Sequence, residues 1–171
     1  MNFLQKIALE INKVWNWLFA KRSELFQMNY KDALMAHIVI DIMQNSKRHG
    51  FKYCKLHSLD PIHPVDNREN TIRATQARVN KLKPYKAKLL KKRRLSKEDL
   101  SKYLPSATYA RAVPTSEGRY YTFEGNGRIA ALKQIFTPDD NIEVELDVYY
   151  PRHGQKIRQK IKKLRSMHGM E

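Results

Sequence analysis

Hydrophobic residues recur at helical spacing over the first fifty positions of the chain. From residue 1 to residue 22 they follow one another at intervals of three and four, with charged residues between them. A second run begins at Asn29, which has the form of a helix N-cap, while the basic residues 47–49 and Gly50 are typical of a helix end. The pattern predicts two helices, which together form an N-terminal extension over residues 1–50.

Alternation of apolar and polar residues predicts strands farther along the chain. The clearest strand is 142–150, where apolar residues occupy one face and three acidic residues occupy the other. That acidic face is a candidate partner for the Lys and Arg runs. Shorter strands are predicted at 51–56, 108–113 and 119–123, and turn-forming residues 114–118 join the last two into a hairpin.

Helical patterns separate these strands. Apolar residues from Val79 to Leu90 are spaced for one helix face, and Pro84 is a candidate interruption. Ser96, with Asp99 three residues later, has the form of a capping box for a short helix, and a further apolar helix face spans 129–136. Together with the strands, these helices predict an α+β domain with a small mixed sheet over residues 51–151.

Residues 152–171 form a third segment, in which basic residues greatly outnumber apolar ones. Ile157, Ile161 and Leu164 mark a narrow apolar stripe among Lys and Arg residues. Such a tail is predicted to be a thin basic amphipathic helix or an arm that orders on contact with a polyanion.

Positive charge is the dominant feature of the composition. The 171 residues include 33 Lys and Arg against 17 Asp and Glu, for a net charge of +16. Such an excess favours a polyanionic neighbour: nucleic acid, an RNA-rich assembly or an anionic membrane face, with a soluble basic protein lacking such a partner as the alternative. The candidate polyanion-binding residues are Lys81, Lys83, Lys86, Lys88, Lys91, Lys92, Arg93, Arg94, Arg158, Lys162 and Lys163.

The sequence favours an intracellular, reducing compartment. Its one cysteine, Cys54, excludes an internal disulfide framework, and no apolar segment is long enough to span a bilayer. No cleavable secretory signal is evident, because charged residues interrupt the first helix. Aromatic residues in that helix leave two alternatives, an interfacial membrane helix or a helix docked on the domain or on a partner protein.

Residues 124–128, EGNGR, carry the strongest chemical signal. Glycines allow a backbone to approach a ligand, and the helix predicted to follow presents unpaired N–H groups to an anion. Arg128 could donate two hydrogen bonds to a phosphate, Asn126 could hold an anion or cap the helix, and Glu124 could bind Mg²⁺ or accept a proton. The alternative is a glycine turn whose Arg128 pairs with the acidic strand.

The order of these elements resembles the ParB/sulfiredoxin-like superfamily. The resemblance covers about residues 51–151 and rests on LHSLDPIHPVDNR at 56–68, RYYTFEGNGRIAALKQIF at 119–136 and the strand after it. It implies that Gly125, Asn126, Gly127 and Arg128 contact the phosphates of a nucleotide, ATP or CTP with Mg²⁺, and that Glu124 is the catalytic or Mg²⁺-binding group. The motif lacks the cysteine that sulfiredoxin activity needs, and too few residues follow the last strand for ParB's helix-turn-helix domain.

Three functions follow from these observations. The first is a nucleotide-binding protein of this superfamily, in the form of a phosphotransferase or nuclease-like enzyme acting near nucleic acid. The second is a non-catalytic basic subunit of a larger assembly. The third is a non-specific nucleic-acid-binding protein that uses the 81–94 run and the basic tail.

Overall fold

A six-stranded mixed sheet organises the chain. The computed structural model describes residues 30–64, 69–106 and 108–170. The strands of the sheet are β1 (Ser46–Lys55), β2 (Leu59–Pro61), β3 (Arg94–Leu95), β4 (Arg111–Pro114), β5 (Tyr120–Glu124) and β6 (Glu143–Pro151). The helices of the described chain are α1 (Tyr30–Gln44), α2 (Glu69–Leu82), α3 (Lys86–Lys92), α4 (Lys97–Tyr103), α5 (Asn126–Ile135) and α6 (Gly154–Met167).

The chain divides into two compact units at the middle of α1. The described residues from Ile38 onward, including the whole sheet, belong to the second unit. Of the first unit, the structure describes only Tyr30–His37, the beginning of α1. The helix predicted within residues 1–22 and the N-cap predicted at Asn29 lie outside the described residues. No helix in the described part of the chain has the length and apolar character needed to cross a bilayer.

Strand β6 is an interior strand of the sheet, whose order is β1-β6-β4-β5-β2, and it pairs with three other strands. Strand β1 pairs with it in antiparallel fashion, and β3 and β4 each pair with it in parallel. Strands β4 and β5 form the predicted antiparallel hairpin, and β2 adds to β5 in parallel. The predicted α+β class with a mixed sheet is therefore confirmed.

The apolar face of β6 is buried in the main core, as its alternation predicts. Val144, Leu146 and Val148 are completely buried, and they pack with apolar residues of α2, α3, α4 and α5. The acidic face is partly neutralised by a basic run, as expected: Arg94 Nε lies 2.6 Å from Glu143 Oε2. Helix α6 covers the other face of the sheet, because Arg165 of α6 lies 5.1 Å from the ring of Tyr121, which points away from this core.

The basic tail therefore contains a packed helix. Ile157, Ile161 and Leu164, the stripe predicted from the sequence, are all buried. Lys160 Nζ of this helix also lies 2.7 Å from Asp41 Oδ2 of α1. Burial of apolar side chains supplies the free energy that holds a helix of this length, because helices of 14 residues are marginal on their own.

The predicted end of the second helix is wrong. We expected residues 47–50 to close it, but α1 ends at Gln44 and β1 begins at Ser46. Pairing with β6 extends from Ser46–Pro151 to Lys55–Glu143, so this long ladder overrides the local preference of Lys, Arg, His and Gly for a helix end. The strand predicted at 51–56 is the second half of β1, and Leu56 already belongs to a short 3-10 helix.

Two predicted helix boundaries are confirmed. Ser96 caps α4 through a reciprocal pair of hydrogen bonds with Asp99, the capping box expected from the sequence. Pro84 lies in a 3-10 turn that separates α2 from α3, so the predicted interruption divides the basic run between two helices.

Candidate functional site

The turn between β5 and α5 requires glycine at position 125. Gly125 is the N-cap of α5 and has a φ of +82°, a backbone conformation that residues with a Cβ rarely adopt. A Cβ at this position would also lie 2.9 Å from Cβ of Ala110, which precedes β4. The start of α5 is thus held close to the β4 backbone, and the first amides of the helix lie at the end of the sheet.

A second close approach occurs at Gly127, in the first turn of α5. A Cβ there would lie 3.0 Å from Nη1 of Arg78 and 3.9 Å from Oγ1 of Thr75, both on α2. Thr75 is only 6% exposed, and its hydroxyl has no hydrogen-bond partner among the described residues. A guanidinium, a buried hydroxyl and the positive end of a helix dipole therefore converge on Gly127.

The side chain of Asn126 is held by residues of β5 and of the loop after β2. Its Oδ1 accepts a hydrogen bond of 2.6 Å from the hydroxyl of Thr122 on β5. Its Nδ2 lies 3.3 Å from Nε2 of His63, whose Nδ1 donates to the carbonyl of Pro64 at 2.7 Å. These contacts fix the loop after β2, and strand β5 itself, to the first turn of α5, so the Asn126 side chain orients the site.

Arg128 points into the protein. It is 3% exposed, and its Nη2 donates a 2.7 Å hydrogen bond to the carbonyl of Thr108. Burial lowers the pKa of Arg128, and the nearby charge of Arg78 lowers it further while Glu124 opposes this. The hydrogen bond to Thr108 thus connects α5 to the segment before β4, and the charge of Arg128 lies in the protein interior next to the start of α5.

Glu124 lies at the carboxyl end of β5, immediately before the turn. It is half-buried, and its Oε1 accepts a 3.2 Å hydrogen bond from the backbone N–H of Gly125. Arg111 of β4 is its register partner across the hairpin. The carboxylate therefore lies next to the amides and cations at the start of α5.

The predicted polyanion-binding residues lie elsewhere, between the end of α2 and β3 and on α6. All eight cations from Lys81 to Arg94 are exposed. Lys92 pairs with Asp99 and Arg94 with Glu143, while the other six have no ion pair within the described ranges. On α6, Arg158 is half-buried, and Lys162 and Lys163 are exposed.

Three of these lysines line a cleft between α3 and α4. The cleft has a volume of about 410 Å³, and Lys88, Lys91, Lys92 and Lys102 surround it with the single carboxylate of Asp99. Since Asp99 already pairs with Lys92, the cleft keeps an excess of positive charge.

Thr75 and Arg78 were not predicted as site residues from the sequence. Both lie on α2, whose apolar face carries Val79 and Leu82, and Thr75 falls on the same face at i and i+4. A threonine within an apolar helix stripe is the signal that could have drawn attention to this position. Its proximity to Gly127 follows only from how α2 packs on α5.

Comparison of the chain with protein-family models, with curated proteins and with solved structures found no match.

We predict that Gly125→Ala destabilises the protein more than Gly118→Ala does. Both glycines have positive φ, which costs about 1–2 kcal/mol for alanine, but only position 125 adds a steric contact, with Ala110. Overpacking of this kind costs about 1–3 kcal/mol more. Urea unfolding of both variants measures the difference, and equal losses would show that the close approach to Ala110 is not a constraint.

Proposed function

We propose that this chain binds the phosphate groups of a nucleotide at the start of α5. The observation that carries the proposal is the convergence on Gly127 of the helix N-terminus, the Arg78 guanidinium and the buried hydroxyl of Thr75. Among the described residues this hydroxyl has no hydrogen-bond partner. Backbone N–H groups at a helix N-terminus favour anions, and a guanidinium can donate two parallel hydrogen bonds to phosphate oxygens. A phosphate bound here would also give the hydroxyl of Thr75 a hydrogen-bond partner.

The two arginines have different roles in this proposal. Arg78 is half-buried and lies beside Gly127, so it contacts the phosphate directly. Arg128 is buried and donates a hydrogen bond to the carbonyl of Thr108, so it stabilises the packing of α5 against the segment before β4. Its charge contributes positive electrostatic potential to the site from the protein interior. This assignment refines the expectation from the sequence, in which Arg128 alone was the phosphate clamp.

Glu124 is the acidic group of the proposed site. No group of three or more His, Cys, Asp or Glu side chains suited to a metal is found in the part of the chain that is described. Mg²⁺ is commonly held by one or two carboxylates together with phosphate oxygens and water, so a single carboxylate beside the phosphate site fits that ion. Glu124 would hold Mg²⁺ there or accept a proton from a hydroxyl group.

The ParB/sulfiredoxin-like resemblance supports a nucleotide as the ligand. ATP and CTP are the nucleotides that it implies, with Gly125, Asn126, Gly127 and Arg128 forming the phosphate loop. Phosphotransfer and nuclease-like chemistry are the activities consistent with a carboxylate beside bound phosphate, and we propose them for this site on that ground.

We predict that ATP or CTP with Mg²⁺ raises the melting temperature and that Arg78→Ala reduces the rise. Ligand at about 100 times its Kd stabilises a folded protein by about 2.7 kcal/mol, which corresponds to roughly 5–10 °C for a chain of this size. Thermal unfolding with each nucleotide, and with inorganic triphosphate, measures the effect and separates phosphate from base recognition.

Arg73→Ala is the matched control for this experiment. It removes the same charge from the same helix, but Arg73 is exposed and pairs with Glu69. Its response to nucleotide is expected to equal that of the unmodified chain. A melting temperature that no nucleotide changes, or equal responses of the two arginine variants, would contradict the proposed site.

A specific observation also favours a second function, non-specific nucleic-acid binding. The cleft of Lys88, Lys91, Lys92 and Lys102 joins exposed cations of α3 and α4 on one surface, with a single carboxylate among them. Cations without carboxylate partners favour contact with the phosphate backbone, and such binding is independent of sequence.

We predict that Lys88→Ala with Lys91→Ala weakens binding to double-stranded DNA and flattens its salt dependence. Each phosphate contact contributes about 0.9 to the slope of log K against log salt, so two lost contacts reduce the slope by up to about 1.8. Fluorescence anisotropy over a salt series measures this. Nucleotide stabilisation should not change, and an unaltered slope would exclude the cleft as a backbone-binding surface.

A further inference from the structure

A second basic cleft lies at the other end of strand β5, between the hairpin turn and helix α6. Its volume is about 250 Å³, below the range of about 300–1,000 Å³ that is usual for sites of drug-sized ligands. The extended segment from Arg119 through β5 to Glu124 separates this cleft from the start of α5 by roughly 17 Å. The cleft is therefore distinct from the proposed nucleotide site and suits a smaller group.

Three cations of α6 line one side of this cleft. Arg158, Lys162 and Arg165 are spaced i, i+4 and i+7, which places them on one helix face. Like charges at this spacing repel one another and destabilise a helix. An anion between the helix and the hairpin turn would offset this repulsion.

The carboxylates of the cleft form no ion pair with Arg158 or Lys162 among the described residues. Asp60 accepts two hydrogen bonds of 2.7 Å from the guanidinium of Arg119, in a bidentate pair. Burial opposes ionisation of Asp60, but the hydrogen bonds from Arg119 hold its pKa below the usual range. The remaining carboxylate, Glu117, lies on the exposed turn. Asp60 thus pairs directly with Arg119, and the charges of Arg158 and Lys162 remain.

The three cations of α6 have different roles in this cleft. Arg165 is fixed, because its guanidinium donates to the carbonyls of Pro61 and Met170 and lies 5.1 Å from the Tyr121 ring. Arg158 and Lys162 have no ion pair among the residues described, and both line the cleft. They are the side chains that can turn toward a ligand while Arg165 supplies a fixed charge.

We propose that this cleft is a second anion site, which binds a phosphate group through Arg158 and Lys162. Counting Arg119, the lining holds four cations against two carboxylates, a net charge of +2. A phosphate monoester carries about −1.5 to −2 at pH 7, which matches that excess. The group comes from a free phosphorylated molecule or from a nucleic-acid backbone, since both present the same oxygens.

The test is a titration followed by the backbone amide resonances of the hairpin turn. Inorganic pyrophosphate is added to the full chain, and Ser116 and Gly118 report on the cleft. We expect saturable shifts at these amides and at least a fivefold weaker affinity in the variant Arg158→Ala with Lys162→Ala. The shifts should persist in Arg78→Ala, which separates this cleft from the proposed nucleotide site.

Arg152→Ala with Lys156→Ala provides the matched control. These two changes remove the same charge at the N-terminal end of α6, but neither side chain lines the cleft, so the affinity should equal that of the unmodified chain. Ribose 5-phosphate and a single-stranded oligonucleotide, titrated separately, distinguish the two sources of the phosphate. Absence of saturable shifts at the turn, or equal weakening by both double variants, would overturn the proposal.

Discussion

The close approach of Gly125 to Ala110 is the constraint on which the site depends. Because Gly125 adopts a φ of +82° with no Cβ, helix α5 can begin directly beside the start of β4. The same position brings Arg128 to the carbonyl of Thr108 and the first turn of α5 against Arg78 and Thr75 of α2. A larger residue at position 125 would move the helix start and separate these groups. The packing of α5 on the core and the geometry of the proposed phosphate site therefore both depend on the absence of a side chain at position 125.

The distribution of charge explains how so basic a chain folds around a sheet with an acidic strand. Strand β6 is an interior strand of the sheet, and its acidic residues have neighbours from several other elements. Arg94 pairs with Glu143, the backbone N–H of Lys97 donates to Glu145, and Nδ1 of His49 lies 2.9 Å from Asp147, which is 6% exposed. Buried carboxylates are stable only with such partners. The cations that remain exposed are then available to external anions.

Much of this fold follows from local patterns in the sequence. The alternation in β6, the capping box of Ser96 and the break at Pro84 are each set by neighbours within a few residues, and each is confirmed. The start of β1 could not be predicted in this way, because residues 46–50 gain their strand conformation from the ladder with β6, about a hundred residues away. The glycine motif was evident from the sequence, whereas Thr75 and Arg78 join it only through helix packing.

A crystal structure of the chain with a nucleoside triphosphate and Mg²⁺ would show whether phosphate binds at the start of α5. We expect phosphate oxygens at about 3 Å from the backbone N–H of Gly127, the guanidinium of Arg78 and the hydroxyl of Thr75. Phosphate density on the lysines of α3 and α4 alone, with the hydroxyl of Thr75 still without a partner, would contradict it.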